Sequence, residues 1–301
     1  MKGKLLAVLA AWMFLAGAGL LAYPMVSNLY YEWQQERLTE YYDSVVAQQV
    51  EEEALSQEFQ ECWDYNQGLL KGGVLLTDPF EESQLDPSAM PYAGLLNLNG
   101  DGSMGYLTIP AIDVNLVVYH GVEEEVLQKG VGHLQGSSLP VGGVGSHCVL
   151  SAHTGLNNKK LFTDLDRLVE GDVFYLHVLG EVLAYQVDQI QVVLPHETQA
   201  LNIHAQQDYV TLVTCTPYGI NSHRLLVRGV RIPYQEAVEA EQAQEQTRPR
   251  GSTWREEYAA AAAVGVALLG SVALAATAAG WVRRRRGRRG AKGERRKGAE
   301  G

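Results

Sequence analysis

The pattern of hydrophobic and polar positions divides the chain into three kinds of segment. Residues 5–23 and 258–282 are apolar and uncharged, and each is close to the roughly 20 residues that cross a bilayer core. Residues 27–70 repeat aromatic and aliphatic side chains among Glu and Gln, which predicts helix. From Gly105 onward the pattern changes to short β-branched and apolar runs separated by Gly, Asn and Asp, which predicts strands.

The strand-like runs are numerous and short. So many strands in one domain predict either a sheet closed on itself or a sandwich. A helical turn is predicted at Leu161–Leu168, a long turn-rich loop over residues 71–103, and a polar linker over residues 236–257. The predicted strands are Tyr106–Ile109, Val114–Tyr119, Cys148–Ala152, Val173–Val178, Leu183–Leu194, Tyr209–Cys215 and Leu225–Ile232.

Basic residues beside the two apolar segments predict the topology. Lys2 and Lys4 precede the first segment, and Arg283–Arg286 follow the second. Because basic flanks stay cytoplasmic, both termini are predicted inside the plasma membrane and the intervening domain outside. The alternative for the first segment is a cleaved signal peptide.

The charge is unevenly distributed, and the difference excludes some partners. The chain carries −11 overall, but residues 24–257 hold 33 acidic and 12 basic side chains. Such an acidic domain argues against binding nucleic acid or an anionic surface. The basic tail, residues 283–301, fixes the topology or contacts anionic lipid.

The three cysteines do not form a disulfide scaffold. An odd number leaves at least one thiol free. Cys148 lies in an apolar run and is predicted as a core thiol. Cys62 lies in an acidic helical stretch without an evident partner, and a Cys62–Cys148 bond is the alternative.

Cys215 stands where a nucleophile is expected. It ends the run Thr211–Thr214, and Pro217 then terminates the strand because it cannot donate to a ladder. Arg224 returns on the next strand, and a fixed cation favours a thiolate. Arg228 shares the face of Arg224, so parity alone allows either arginine.

A catalytic thiol also needs a proton partner. His153 follows the run Val149–Ala152, and a side chain at a strand end faces a cleft more often than a core. His223, which adjoins Arg224, is the second candidate.

Four motifs together resemble the sortase family. They are Thr211–Cys215 with downstream Arg224, Ser151–Leu156, Leu161–Leu165 and Leu194–Thr198. Asp78, Pro79 and Phe80 are similar to the lid of class C, pilus-assembling sortases, in which an Asp-Pro-aromatic element covers the active site. A spanning segment at each end also resembles that class.

The resemblance implies a mainly β fold: a closed barrel of about eight strands with short helices, an N-terminal helical segment and a transmembrane helix at each end. It also implies an active site in a groove. Cys215 would attack the Thr–Gly bond of an LPxTG-like sorting signal, His153 would be the general acid and base, and Arg224 would stabilise the oxyanion. Thr214, Thr216 and Ala152 are the groove candidates.

The partners implied are pilins or surface proteins that carry such signals, with a pilin lysine as the acceptor amine and no cofactor. Three alternatives have different chemistry: a sortase that uses the amine of a cell-wall precursor, a Cys/His protease that releases peptide to water, and a surface module without activity. The predicted segments are 1–26 (anchor or signal), 27–70 (a helical segment that stands off from the membrane), 71–103 (lid loop), 104–235 (barrel), 236–257 (linker), 258–282 (transmembrane) and 283–301 (tail).

Overall fold

The computed structural model describes residues 2–49, 52–73, 76–81, 88, 90–156, 158–247 and 256–271. The helices are α1 (Lys2–Gln49), α2 (Glu52–Gly72), α3 (Glu124–Leu127), α4 (Tyr234–Thr247) and α5 (residues 256–271). The strands are β1 (Ser103–Ile109), β2 (Val114–His120), β3 (Val131–His133), β4 (Ser146–Ser151), β5 (Val173–Val178), β6 (Glu181–Val193), β7 (Asp208–Thr216) and β8 (His223–Ile232).

The eight strands close into a barrel in the order β1-β2-β3-β4-β7-β8-β6-β5, with β5 pairing back onto β1. Most neighbours are antiparallel, but β2–β3 and β4–β7 are parallel. The predicted closed barrel is confirmed, and the sandwich is excluded. All seven predicted strands are present; β3 was missed because three residues are too few to show an alternating pattern.

Successive residues of each strand face opposite sides of the barrel wall, as a pleated strand requires. The main core cluster takes side chains from all eight strands, for example Leu150, Leu212 and Val227, and therefore fills the barrel interior. Their neighbours Val149 and Val213 belong to a second cluster on the outer face. The outer face of β4, β7 and β8 is thus an apolar surface that needs a cover.

The N-terminal helices pack on the barrel wall, as the predicted helical segment 27–70 requires. The first half of α1 is apolar, and α1 is the one helix among the described residues that is long and apolar enough to cross a membrane. In its second half, the Tyr42 hydroxyl accepts from Leu179 N at 3.1 Å and donates to Met104 O at 3.2 Å. In α2, Asn66 is fully buried and bonds both backbone groups of Leu139.

Two local predictions differ from the structure. The segment predicted as a linker begins as α4, because Ala237 and Ala240 present small side chains that let the helix pack against β5 and β6. The helical turn predicted at Leu161–Leu168 is a series of turns with one short 3-10 helix, Leu165–Arg167.

The C-terminal unit, Ser252–Gly301, is described only at α5. The second predicted transmembrane segment is helical over residues 258–271, whereas residues 272–301, including the basic tail, lie outside the described residues. The second span therefore stays a prediction.

The cysteines are all free and buried. Cys148 lies in the barrel core, as expected of a small apolar thiol, and Cys62 joins the same core cluster from α2. The alternative Cys62–Cys148 disulfide is not formed.

Candidate active site

Strands β7 and β8 bring the predicted nucleophile and the predicted cation together. Cys215 pairs with Arg224 across the antiparallel ladder, near the β7–β8 connection. Both have the parity of the outer-face residues Val213 and Leu226, so both point out of the barrel wall rather than into the core. Cys215 is nevertheless only 9% exposed.

The parallel pairing of β4 with β7 brings His153 to the same place. Ser151 is the register partner of Val213, and the pairing continues beyond the strand: Ala152 N donates to Val213 O at 3.2 Å. The Thr214 hydroxyl donates to Ala152 O at 2.7 Å. One residue further along both strand directions, His153 lies beside Cys215 on the outer face. The structure therefore unites all three predicted residues at one edge.

The predicted lid covers this edge. The Asp78 carboxylate is buried and forms a bidentate pair with Arg224: Nε lies 2.8 Å from Oδ1, and Nη2 lies 2.5 Å from Oδ2. After Pro79, Phe80 N donates to Asp78 Oδ1 at 3.3 Å, which turns the chain across the groove. The Phe80 ring lies 5.1 Å from the Arg224 guanidinium carbon and 5.8 Å from the His153 ring.

The lid also changes the electrostatics of the thiol. Burial is the largest cause that raises the pKa of Cys215; the Arg224 charge lowers it, and the Asp78 charge raises it. The net pKa lies above the ordinary value of a thiol, so the closed arrangement favours the neutral thiol. The Arg224 guanidinium is meanwhile bound by the Asp78 carboxylate.

Comparisons with known proteins agree with this geometry. A sortase domain model matches residues 107–232. The structure of sortase C-1 from Actinomyces oris is 44% identical, with 60% of this chain and 99% of that chain covered and a TM-score of 0.56. This chain belongs to the sortase family. Sortase C from Streptococcus pneumoniae is also 44% identical, with 66% and 97% covered and a TM-score of 0.60.

These solved relatives are class C sortases. A further one, the pilus-related sortase C of Group B Streptococcus, is 39% identical over 65% of this chain and 98% of that chain, with a TM-score of 0.60. Among curated proteins, sortase A of Streptococcus agalactiae is 28% identical over 116 residues, 38% of this chain and 47% of the relative. The chain thus spans about half the length of that relative.

Glu124 is a site residue that the sequence did not indicate. Its Oε2 lies 3.2 Å from His153 Nε2, while the carboxylate itself is largely exposed on α3. A carboxylate at this ring nitrogen orients the imidazole. In the sequence, Glu124 is the middle of three consecutive glutamates, and nothing there links it to His153.

Two groove candidates are wrong, and the reason is strand parity. Thr214 and Ala152 have the parity of Leu212 and Leu150, so they point into the barrel and are almost fully buried. They hold the His153 segment against β7 instead of offering surface to a peptide. Thr216 is half-buried at the end of β7.

The alternative residues for the sortase site lie elsewhere. His223 is the register partner of Thr216, so it is on the face opposite to Cys215. Arg228 is bound bidentately by Asp188, at 3.0 and 2.7 Å, and its guanidinium lies 4.2 Å from the Tyr209 ring centroid. Both geometries favour His153 and Arg224.

Proposed function

We propose that this sortase is a membrane-anchored cysteine transpeptidase that cleaves an LPxTG-like sorting signal between Thr and Gly. The observation that carries the proposal is the cross-strand pair of Cys215 and Arg224 with His153 alongside, all on the outer face of the barrel. A sulfur nucleophile, a proton carrier and a fixed cation are the groups that acyl transfer needs.

In the first half-reaction, the Cys215 thiol passes its proton to His153 and the sulfur attacks the threonine carbonyl carbon. The Arg224 guanidinium stabilises the oxyanion that forms, and His153 gives a proton to the glycine nitrogen as the C–N bond breaks. The products are a thioester on Cys215 and a released glycine-bearing peptide. Removing one oxyanion donor of this kind typically costs about 3–4 kcal/mol of transition-state stabilisation.

In the second half-reaction, an amine attacks the thioester carbonyl. His153 accepts a proton from the amine nitrogen and returns it to the sulfur as the C–S bond breaks, which regenerates the Cys215 thiol. One amide is exchanged for another, and the thioester conserves the acyl activation between the two steps. The cycle therefore balances without a cofactor.

The resting enzyme is closed by its own lid. The Asp78 carboxylate binds the Arg224 guanidinium that would otherwise stabilise the oxyanion. The Phe80 ring lies near Arg224 and His153, the two side chains beside Cys215. A peptide must therefore displace the Asp78–Phe80 segment before it reaches the sulfur, which is a loop opening.

The acceptor we propose is a lysine amine of a pilin, so that the product is an isopeptide-linked polymer on a Gram-positive surface. The lid and the class C relatives, one of them pilus-related, favour this acceptor. The cell-wall precursor amine is the second candidate. We place the catalytic barrel outside the plasma membrane, with α1 as its anchor.

The test uses the purified full-length chain in detergent with an LPxTG-type peptide and one acceptor at a time: a pilin with its lysine, an amine of cell-wall precursor type, or water alone. Mass spectrometry identifies the products, and Cys215→Ala is the control. Isopeptide product supports pilin polymerisation, and precursor-linked product supports wall anchoring. Hydrolysis alone with every amine present would contradict transpeptidation.

A further inference from the structure

Helix α1 connects the apolar N-terminal stretch directly to the barrel. The chain is uncharged from Leu5 to Tyr31, and a span of about 20 residues that starts at Leu5 ends near Pro24. A contact with the barrel follows almost at once, because Ser27 Oγ lies 3.4 Å from Asn158 O. At about 1.5 Å per helical residue, this contact is only about 5 Å beyond Pro24.

The barrel elements that touch this part of α1 are those that carry the active site. Asn158 belongs to the loop that follows His153. The Tyr31 hydroxyl donates to Lys129 O at 2.7 Å, and Lys129 lies just after α3, whose first residue is Glu124, the partner of His153.

The opposite end of the barrel contacts α1 much further along. Tyr42 binds Leu179 in the β5–β6 hairpin, and a side chain at Gly180 would meet Val46. Val46 is about 28 Å beyond Ser27 along the helix axis. The active-site end is therefore the end nearest to the apolar stretch. This order along α1 does not depend on any bend at Pro24, because both sets of contacts lie after it.

The outward face of α1 has the residues typical of a bilayer interface. Tyr23, Tyr30 and Trp33 expose 57%, 58% and 49% of their surface, and Val26 exposes 62%. The Tyr30 and Trp33 rings lie 5.9 Å apart. Tyr and Trp concentrate at headgroup level, where an apolar ring and a polar tip are both accommodated.

We propose that the active-site end of the barrel rests on the lipid headgroups. The membrane-facing rim consists of loop residues 154–156 and 158–160, the α3–β3 turn at residues 128–130 and the exposed face of α1 from Tyr23 to Trp33. The groove of Cys215 then opens at the membrane surface, and it accepts polypeptide presented there. The proposal rests on α1 being the membrane anchor of the proposed function.

The experiment places a fluorescent label at each end of the barrel in the full-length chain. Asn158→Cys reports on the rim, and Glu181→Cys, on the exposed β5–β6 hairpin, is the matched control. Both are made in a Cys215→Ala background, because Cys62 and Cys148 are buried. The labelled chains are incorporated into nanodiscs of phosphatidylcholine and phosphatidylglycerol that contain a headgroup-attached, short-range quencher.

We expect the label at residue 158 to lose most of its fluorescence and the label at residue 181 to keep most of it, since about 28 Å of helix separates the two ends. Equal quenching, or stronger quenching at residue 181, would overturn the inference while leaving the anchor and the transpeptidase intact. A chain that fails to enter nanodiscs would overturn the anchor and the inference together, but not the acyl-transfer chemistry measured in detergent.

A double variant tests the aromatic face of α1 separately. Tyr30→Ser with Trp33→Ser should weaken quenching at residue 158, because the two rings hold the rim at the interface. Peptide cleavage in detergent, measured for the same double variant with Cys215 present, should be unchanged, since neither ring belongs to the site. Unchanged quenching in the double variant would remove the aromatic face from the proposal.

Discussion

Replacing Asp78 with alanine should release the lid and expose the active-site thiol. The Asp78 carboxylate receives three hydrogen bonds from Arg224, at 2.8, 3.1 and 2.5 Å, and its side chain is 1% exposed. In the Asp78→Ala variant, Arg224 would be buried in the closed state without a counter-charge, which is unfavourable. Opening the segment returns the guanidinium to water and removes that cost.

The size of the effect follows from what the pair contributes to closure. A charge-assisted hydrogen bond contributes about 1.5–3 kcal/mol net. We take the value of one such bond for the whole pair, because the desolvation of both ions offsets part of the attraction. Each 1.4 kcal/mol is a factor of ten, so the open population should rise by about 10- to 150-fold.

The assay is the rate at which a small methanethiosulfonate reagent modifies Cys215. If the reagent reacts only in the open state, the rate rises in proportion to the open population. Cys215→Ala measures any background from the other thiols. Asp188→Ala is the matched control. Asp188 binds Arg228, which is on the same strand as Arg224, with the same bidentate geometry but away from the lid.

Two results would refute this reasoning. An unchanged modification rate in Asp78→Ala would mean that the ion pair does not hold the lid closed. An equal rise in Asp188→Ala would mean that removing any such pair loosens the barrel, and the lid would then have no special role.

Three other predictions concern the pH dependence of the lid, the Glu124–His153 contact and the Asn66–Leu139 contact. Burial and the Asp78 charge in the closed arrangement raise the pKa of Cys215, so closure binds the thiol proton more tightly. The open fraction of the lid should therefore increase as pH rises through the thiol range. Asp78→Ala should move the pH midpoint of thiol modification to lower pH. Glu124→Gln should slow peptide cleavage by about 1.4- to 5-fold, an effect that shrinks with added salt, because an exposed ion pair contributes about 0.2–1 kcal/mol. Asn66→Ala should lower the free energy of unfolding by about 2–4 kcal/mol in urea titrations, because both backbone groups of Leu139 lose their partner.

Neighbouring residues supply the controls for the last two predictions. Glu125→Gln removes a similar charge from α3, and Gln67→Ala truncates an exposed side chain next to Asn66; both should have little effect. If Glu125→Gln slows cleavage as much as Glu124→Gln, the effect comes from the negative charge of α3 in general and not from the Glu124–His153 contact. An Asn66→Ala variant with unchanged stability would mean that water replaces the amide at Leu139.

The predictable part of the fold came from patterns that are local in the chain. Short β-branched and apolar runs bounded by Gly, Asn and Asp located seven strands, because strand preference and turn residues act within each segment separately. The juxtaposition of Cys215 with Arg224 was accessible for the same reason: a short connection joins β7 to β8, so the register is determined within about ten residues.

Tertiary structure decided what depends on distant segments. The parallel pairing of β4 with β7 joins segments about 60 residues apart, so only the closed barrel shows that His153 lies beside Cys215. The same is true of the Glu124–His153 contact and of the inward direction of Thr214. The sequence by itself determined the strands and indicated the candidate nucleophile and the candidate lid, because these rest on local patterns and short motifs. Only the fold determined which side chains share a face and that the lid is closed, because those facts depend on contacts between residues that the chain keeps far apart.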